Sequence, residues 1–164
     1  MKKIYIVRHA KSSWESQGIN DHERPLNQRG IKDAPIMAKQ LAEEHGIPQK
    51  LISSTATRAF QTAKIFAEVF GYEEKDILSE KQLYHADIED LLGAVNGADE
   101  KYDSICIFAH NPGITYFANL ICEANIDNVA TCGILVMHAQ VDHWYEIDAS
   151  DVILDAYLFP KMGL

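Results

Sequence analysis

The sequence predicts an α/β fold: a three-layer α/β/α sandwich with a mostly parallel central sheet and an antiparallel C-terminal segment. As far as residue 125, short β-branched runs alternate with stretches whose apolar residues recur every three or four positions, the pattern of parallel strands joined by covering helices. From residue 131 onward, strand-like runs joined by turns replace that alternation. The chain has 164 residues, 47% of them hydrophobic and 24% charged. That suits one domain with a substantial apolar core and excludes disordered or collagen-like chains.

Lys3 to Val7 is β-branched and aromatic between charged residues, and reads as a strand buried on both faces. Ile31, Ala34, Met37, Ala38, Leu41 and Ala42 mark a helix from Ile31 to Glu44, with Pro35 near its start and His45-Gly46 closing it. Lys50 to Ser53 reads as a short strand, and Thr57 to Phe70 as a helix with inward Ala59, Phe60, Ala63, Phe66, Ala67 and Phe70, ended by Gly71. A weaker strand is expected at Asp76 to Ser79 and a helix at Ile88 to Val95, broken at Gly97. Ser104 to Ala109 is the second strongly buried strand, with a helix from Pro112 to Glu123 behind it. Thr131 to His138, His143 to Ile147 and Val152 to Phe159 read as the closing strands. No repeat, low-complexity tract or linker interrupts residues 1–164, so a single domain is expected.

Twenty-four acidic residues against 15 basic ones leave a net charge of −9. Such a surface does not attract nucleic acid or an anionic membrane, and neither is expected as a partner. Cys106, Cys122 and Cys132 are dispersed in apolar surroundings with no Cys-x-x-Cys pair, and read as reduced core residues rather than disulfide or metal ligands. The apolar run after Met1-Lys2-Lys3 stops at Val7, too short for a secretory signal, and nothing approaches the roughly 18 apolar residues of a membrane span. A soluble, cytoplasmic protein is expected.

Arg8-His9 stands at the carboxyl end of the first strand and His110 at that of the Ser104–Ala109 strand, the edge where open α/β sheets bind ligands. Ser53-Ser54-Thr55-Ala56-Thr57-Arg58 follows the second strand and opens a helix, which brings Arg58 toward the same edge. Singly, each has an ordinary structural explanation, a satisfied buried histidine or a surface ion pair. Together, two arginines, two histidines and hydroxyls beside helix N-termini suit a phosphate dianion, because guanidinium forks bind its oxygens bidentately and free N–H groups add donors. No metal or other cofactor is expected: Arg8 would repel a divalent cation beside His9, and no His-Glu-x-x-His or close ligand pair is present.

Four segments carry a resemblance: Val7-Arg8-His9-Ala10-Lys11-Ser12-Ser13-Trp14, Asp21-His22-Glu23-Arg24-Pro25-Leu26-Asn27-Gln28-Arg29-Gly30, Ser53-Ser54-Thr55-Ala56-Thr57-Arg58-Ala59-Phe60-Gln61-Thr62-Ala63 and Ala109-His110-Asn111-Pro112-Gly113. In order and spacing they resemble the motifs of the histidine phosphatase superfamily, and most closely its small SixA-type phosphohistidine phosphatases. The resemblance implies a phosphoglycerate mutase-like fold. It makes His9 the nucleophile that becomes phosphohistidine, and Arg8, Arg58 and His110 the rest of the phosphate pocket. The physics agrees. A nucleophilic imidazole must be neutral at the attacking nitrogen, and a hydrogen bond from its other N–H to a backbone carbonyl would fix that tautomer. The arginines lower the histidine pKa and stabilise charge on the transferring phosphoryl, while a protonated His110 would add a third cationic donor. Lys11 and Arg24 are candidates for a cationic rim around the substrate; Arg29 reads as an ordinary helix start.

Two departures from the family pattern matter. Ala10 stands where the common motif has glycine, so an ordinary backbone conformation is expected there. Members acting on alcohol phosphates read Leu-x-Glu where this chain reads Leu83-Tyr84-His85, so the matched general acid is missing. An alkoxide leaving group needs a proton, a contribution of about 10²–10⁴-fold. Imidazole, whose conjugate acid has a pKa near ~6.5, needs less help. Protein phosphohistidine is therefore the expected substrate, with Glu80, His85, Asp21 or Asp87 as the side chains able to supply a proton. The chain is short for a lid, so an open pocket is expected, and the acidic surface favours a partner that offers its phosphohistidine from a neutral or basic surround. A small-molecule phosphate monoesterase and a noncatalytic phospho-ligand binding module are the competing readings, with mutase activity behind them. The oligomeric state stays open.

Overall fold

The computed structural model describes residues 1–15 and 18–161. Strand β1 (Lys2–Arg8) leads through a loop containing a 3-10 turn (Asp21–Glu23) to α1 (Gln28–His45). Then follow β2 (Lys50–Ser54), α2 (Thr57–Phe70), β3 (Ile77–Glu80), α3 (Ile88–Asn96) and β4 (Ser104–Ala109). Helix α4 (Gly113–Tyr116), β5 (Ile134–Ala139) and β6 (Ile153–Leu158) complete the order. The six strands form one sheet in the order β3-β2-β4-β1-β5-β6. The first four in that order run parallel, whereas β5 joins β1 and β6 joins β5 antiparallel. This is the α/β fold with an antiparallel end that the sequence predicts.

Both faces of the sheet are covered, as the continuous apolar runs of β1 and β4 require. Tyr5, Val7, Leu51, Cys106 and Phe108 pack with Met37, Leu41, Phe66 and Phe70 of α1 and α2. Ile4, Ile6, Ile52, Ile105 and Ile107 pack on the other face with Leu91, Val95, Ile114 and Phe117. All three cysteines are free thiols, Cys106 and Cys132 buried and Cys122 half-buried.

Helix α1 starts at Gln28, three residues before the apolar periodicity, because the Asn27 side chain accepts a hydrogen bond from Gly30 N at 2.9 Å and caps the first turn. Gly30 is pressed against the loop after β1: a Cβ there would lie 2.2 Å from the Lys11 carbonyl oxygen.

Two expectations are corrected. His143 to Ile147 is not a strand; Trp144–Glu146 forms a 3-10 turn. Trp144 is fully buried, its indole N–H donates to Tyr102 O at 2.7 Å, and its backbone N–H donates to the Glu100 carboxylate at 3.0 Å. Asn96 then donates to both Trp144 O and Ile147 O. These tertiary partners consume the backbone groups that a strand would offer to a sheet. Nor does one helix run from Pro112 to Glu123: α4 widens into a π-helical turn over Phe117–Ile121. Glu123 and Asn125 then take left-handed backbone angles, and Asn119 ties the returning coil down by donating to Ile126 O and accepting from Ile126 N, both at 2.7 Å.

Candidate active site

The strand order alone converges the motifs. β4 lies between β1 and β2, with Arg8 opposite Ala109 and Ser53 opposite Phe108, so His9, His110 and the Ser54–Arg58 segment leave the sheet at one edge. His9 N–H donates to Ala109 O at 3.1 Å, and Cys132 N–H is shared by the carbonyls of Arg8 and His9 at 3.0 Å each. The backbone on both sides of His9 is thereby fixed. Ala10 has no positive φ, in line with expectation; its N–H donates to Thr62 Oγ1, which donates in turn to Arg58 O.

His9, Arg58 and His110 are each only 6% exposed. The His9 Nδ1 lies 2.8 Å from Ala10 O. A carbonyl only accepts, so Nδ1 carries the proton and Nε2 keeps its lone pair. Burial, helped by Arg58, Arg8 and Arg24, pushes the His9 pKa down to about 3, against the upward pull of that carbonyl. The His110 ring lies 5.2 Å from that of His9 and contacts Ser54 Oγ through Nε2 at 2.8 Å. Burial, then His9 and Arg58, push its pKa down to about 2. Both rings are therefore neutral near pH 7, and His110 adds no third cation to the two arginines.

Arg58 is oriented by the 3-10 turn of the β1–α1 loop. Its Nη1 donates to Asp21 O at 2.7 Å and its Nη2 to Asp21 Oδ2 at 3.1 Å. The Tyr84 hydroxyl donates to the same carboxylate oxygen at 2.5 Å, and Arg24 pairs with Oδ1 at 3.1 Å. Tyr84, then Arg24 and Arg58, hold the Asp21 carboxyl well below the usual carboxylate range. Arg24 also donates to Ser12 and stacks 3.7 Å over the Trp14 ring. Arg8 donates through Nη1 to Val129 O at 2.7 Å. Four buried nitrogens of this group, Arg8 Nε, Arg24 Nε, Arg58 Nε and His110 Nδ1, have no protein partner. Unpaired buried polar atoms are costly, so the gathering of three unpaired guanidinium N–H donors in a cationic pocket fits an anion that supplies the missing acceptors.

The family model of the histidine phosphatase superfamily (branch 1) matches residues 4–102. The chain belongs to the histidine phosphatase superfamily. Among its relatives is an uncharacterised chloroplastic protein of Arabidopsis thaliana, 30% identical over 153 residues, covering 88% of this chain and 70% of that one. A SixA structure from Agrobacterium tumefaciens is 25% identical, with a TM-score of 0.80 over 97% of this chain and 98% of the other. A protein histidine phosphatase SixA complexed with tungstate is 18% identical and shares the fold, with a TM-score of 0.77 over 95% and 96% of the two chains. The matches support a phosphatase of the superfamily with the phosphoglycerate mutase-like α/β fold of SixA.

The remaining candidates are dispersed. Arg24 joins the site through Asp21, whereas the Lys11 side chain is exposed and its backbone carbonyl meets Asn27 N and the close approach of Gly30. Among the proton-donor candidates, Asp21 is a firmly ionised acceptor, and Glu80 lines a separate cleft with α3. The Asp87 carboxylate is engaged as the N-cap of α3. His85 stacks on Tyr84 at 3.9 Å. Sequence reading gave no part to Tyr84, whose ring meets His110 at 5.6 Å and His22 at 4.7 Å edge-on; Ser54 was among the hydroxyls expected near the phosphate, and Thr62 and Trp14 lie in the matched segments without an individual role. Leu83-Tyr84-His85 drew attention for the carboxylate it lacks, and nothing in that triplet reveals the hydrogen bond to Asp21. Among the described residues no group of three or more His, Cys, Asp or Glu side chains is placed to hold a metal ion, and no helix is long and apolar enough to cross a membrane.

Proposed function

We propose that the protein is a metal-independent phosphohistidine phosphatase acting through a phosphorylated His9. The observation that carries this reading is the His9 Nδ1 contact to Ala10 O, which leaves a neutral, unprotonated Nε2 beside Arg8 and Arg58, whose buried Nε–H groups have no protein partner. In the first step Nε2 attacks phosphorus while the P–N bond breaks to a substrate imidazole that is protonated on its other nitrogen, so that this ring takes the electron pair and leaves as neutral imidazole. Arg8, Arg58 and His110 hold the phosphoryl oxygens, whose charge they offset through the transition state. Water then attacks phospho-His9, releasing inorganic phosphate and restoring the neutral ring.

The electrostatics favour this leaving group. Asp21 is held ionised and has no proton to give, and among the described residues neither the Glu80 nor the Asp87 side chain has a hydrogen bond to a residue of the pocket. An imidazole needs less protonation than an alkoxide, and His85 or solvent suffices for it. The likeness to a structure described as the phosphohistidine phosphatase SixA supports the same substrate class; a phosphohistidine-bearing protein of the cytoplasm, acting in signalling, is the substrate this proposal expects.

The test is turnover of phosphoramidate, a phosphohistidine peptide and an alkyl phosphate in the presence of a chelator. The phosphoramidates are expected to turn over at least tenfold faster, with all activity lost in His9→Ala. Full activity in His9→Ala or complete inhibition by chelator refutes the proposal. Preferred hydrolysis of the alkyl phosphate, lost in Glu80→Gln, would mark a small-molecule phosphate monoesterase instead, and phosphate binding without turnover would mark a noncatalytic module.

A further inference from the structure

Among the described residues, Asp21 is the one carboxylate hydrogen-bonded to Arg8, His9, Arg58 or His110, through its 3.1 Å contact with Arg58 Nη2. It belongs to the β1–α1 loop, and its side chain is 47% exposed, whereas His9 and Arg58 are 6% exposed. The pocket has a buried floor that carries the nucleophile and a carboxylate at its open side.

Depth fixes which way the leaving group points. A phosphohistidine carried by a protein reaches the buried His9 only with its phosphoryl group first. Phosphoryl transfer keeps the attacking and leaving atoms roughly in line, so the substrate ring lies outward, on the solvent side. The side chains there are aromatic: Tyr84 meets His110 and His22 edge-on, and the exposed His85 stacks on Tyr84. The Tyr84 hydroxyl donates to Asp21 Oδ2, which sets the carboxylate against this rim.

The carboxylate has room for one more donor. Its two oxygens offer about four lone-pair sites. Oδ2 accepts from Arg58 and Tyr84, and Oδ1 accepts from Arg24 alone. Those three groups and His110 are the charged or titratable side chains that face it. An ionised carboxylate at this place discriminates by charge. A phosphoimidazole protonated on its other nitrogen carries a positive ring and offers an N–H, whereas an oxygen leaving group develops negative charge that the carboxylate repels.

We infer that Asp21 selects the leaving group, its open Oδ1 site accepting the N–H of a protonated substrate imidazole. This rests on the proposed phosphohistidine substrate and names the residue that recognises its ring. As the bond from His9 Nε2 to phosphorus forms and the P–N bond to the substrate breaks, the ring takes the electron pair, keeps its proton and departs as neutral imidazole. The enzyme donates no proton in this step. An opposite charge within about 4–6 Å shifts a pKa by about 1–3, so the bound ring holds its proton to higher pH than the free one.

The test compares kcat/KM at pH 8 on a phosphohistidine peptide and on 4-nitrophenyl phosphate, whose phenolate leaves without a proton. Misplacement of Arg58 alone would lower both alike, because both phosphoryl groups need that arginine. The ratio of peptide to aryl phosphate should fall at least about tenfold in Asp21→Asn. It should stay near the wild-type ratio in Tyr84→Phe, which removes a hydrogen bond but leaves the charge. His22 and His85 are present in all three proteins, so their protonation cancels. A smaller fall in Asp21→Asn, or an equal one in Tyr84→Phe, overturns the assignment.

Wild type gives a second measurement that needs no variant. Single turnovers with enzyme in saturating excess should show the bound peptide losing its proton at least about one pH unit above the free peptide, titrated by phosphorus NMR. His9 and His110 titrate well below that range, and the aryl phosphate profile is the reference for His22 and His85. A bound pKa at or below the free one overturns the assignment. Failure of the phosphatase reading would appear separately, as no peptide turnover by wild type or full turnover by His9→Ala.

Discussion

Lowering the pH from 7 to 5 in phosphate-free buffer is expected to destabilise the protein through His9 and His110. In the unfolded chain a histidine titrates near ~6.5, whereas in the fold burial pushes His9 down to about 3 and His110 to about 2. Below the unfolded pKa, the unfolded state binds a proton that the folded state refuses, so stability is full at neutral pH and falls as pH drops. Each excess proton gives a slope of about 1.4 kcal/mol per pH unit, which integrates to about 2 kcal/mol per histidine between pH 7 and 5. Asp21 also has a depressed pKa, but its contribution is lost only below the ordinary carboxylate range, outside this window. Urea denaturation at pH 7, 6 and 5 of wild type, His9→Asn, His110→Asn and the double variant measures the effect. Each single variant should lose about half of the difference between wild type and double variant, or about 2 kcal/mol. Wild-type stability independent of pH, or variants with the wild-type slope, would refute the claim that both rings are buried and neutral.

Arg58→Ala should lower kcat/KM on phosphoramidate by about 10²–10³-fold, read from steady-state kinetics, because it removes a buried donor set held by Asp21. Ser54→Ala, which strips His110 Nε2 of its partner, should cost about 1–3 kcal/mol in urea unfolding at pH 7. Gly113→Ala would push a Cβ to 2.0 Å from Ala86 O and should lower the denaturation midpoint by an amount worth about 1–3 kcal/mol with the m-value unchanged. Trp144→Phe, which loses the hydrogen bond to Tyr102 O, should destabilise by about 1–2 kcal/mol in the same assay.

What could be read in the sequence follows from where the constraints act. β1 and β4 are buried on both faces and β-branched, so composition alone marks them, and their carboxyl ends deliver His9 and His110. The helix Thr57–Phe70 is framed by a strand and by Gly71, and appears with the predicted bounds. The aromatic run around Trp144 has strand composition, but its conformation is set by Glu100, Tyr102 and Asn96, which lie 42 to 51 residues away in sequence. The same holds for the site. A backbone carbonyl acceptor for His9 could be expected from what a nucleophilic imidazole needs, and the next carbonyl, Ala10 O, supplies it. The ionised state of Asp21 was not legible, because Tyr84 lies 63 residues further along the chain.

The central claim is that a neutral His9 takes the phosphoryl group on Nε2. Rapid quenching of the enzyme during phosphoramidate turnover, followed by mass spectrometry of its peptides, tests this most directly. The expected result is one alkali-stable, acid-labile phosphate on His9, absent from His9→Ala, forming before inorganic phosphate appears. Turnover without any adduct, or an adduct on another residue that persists in His9→Ala, would contradict it.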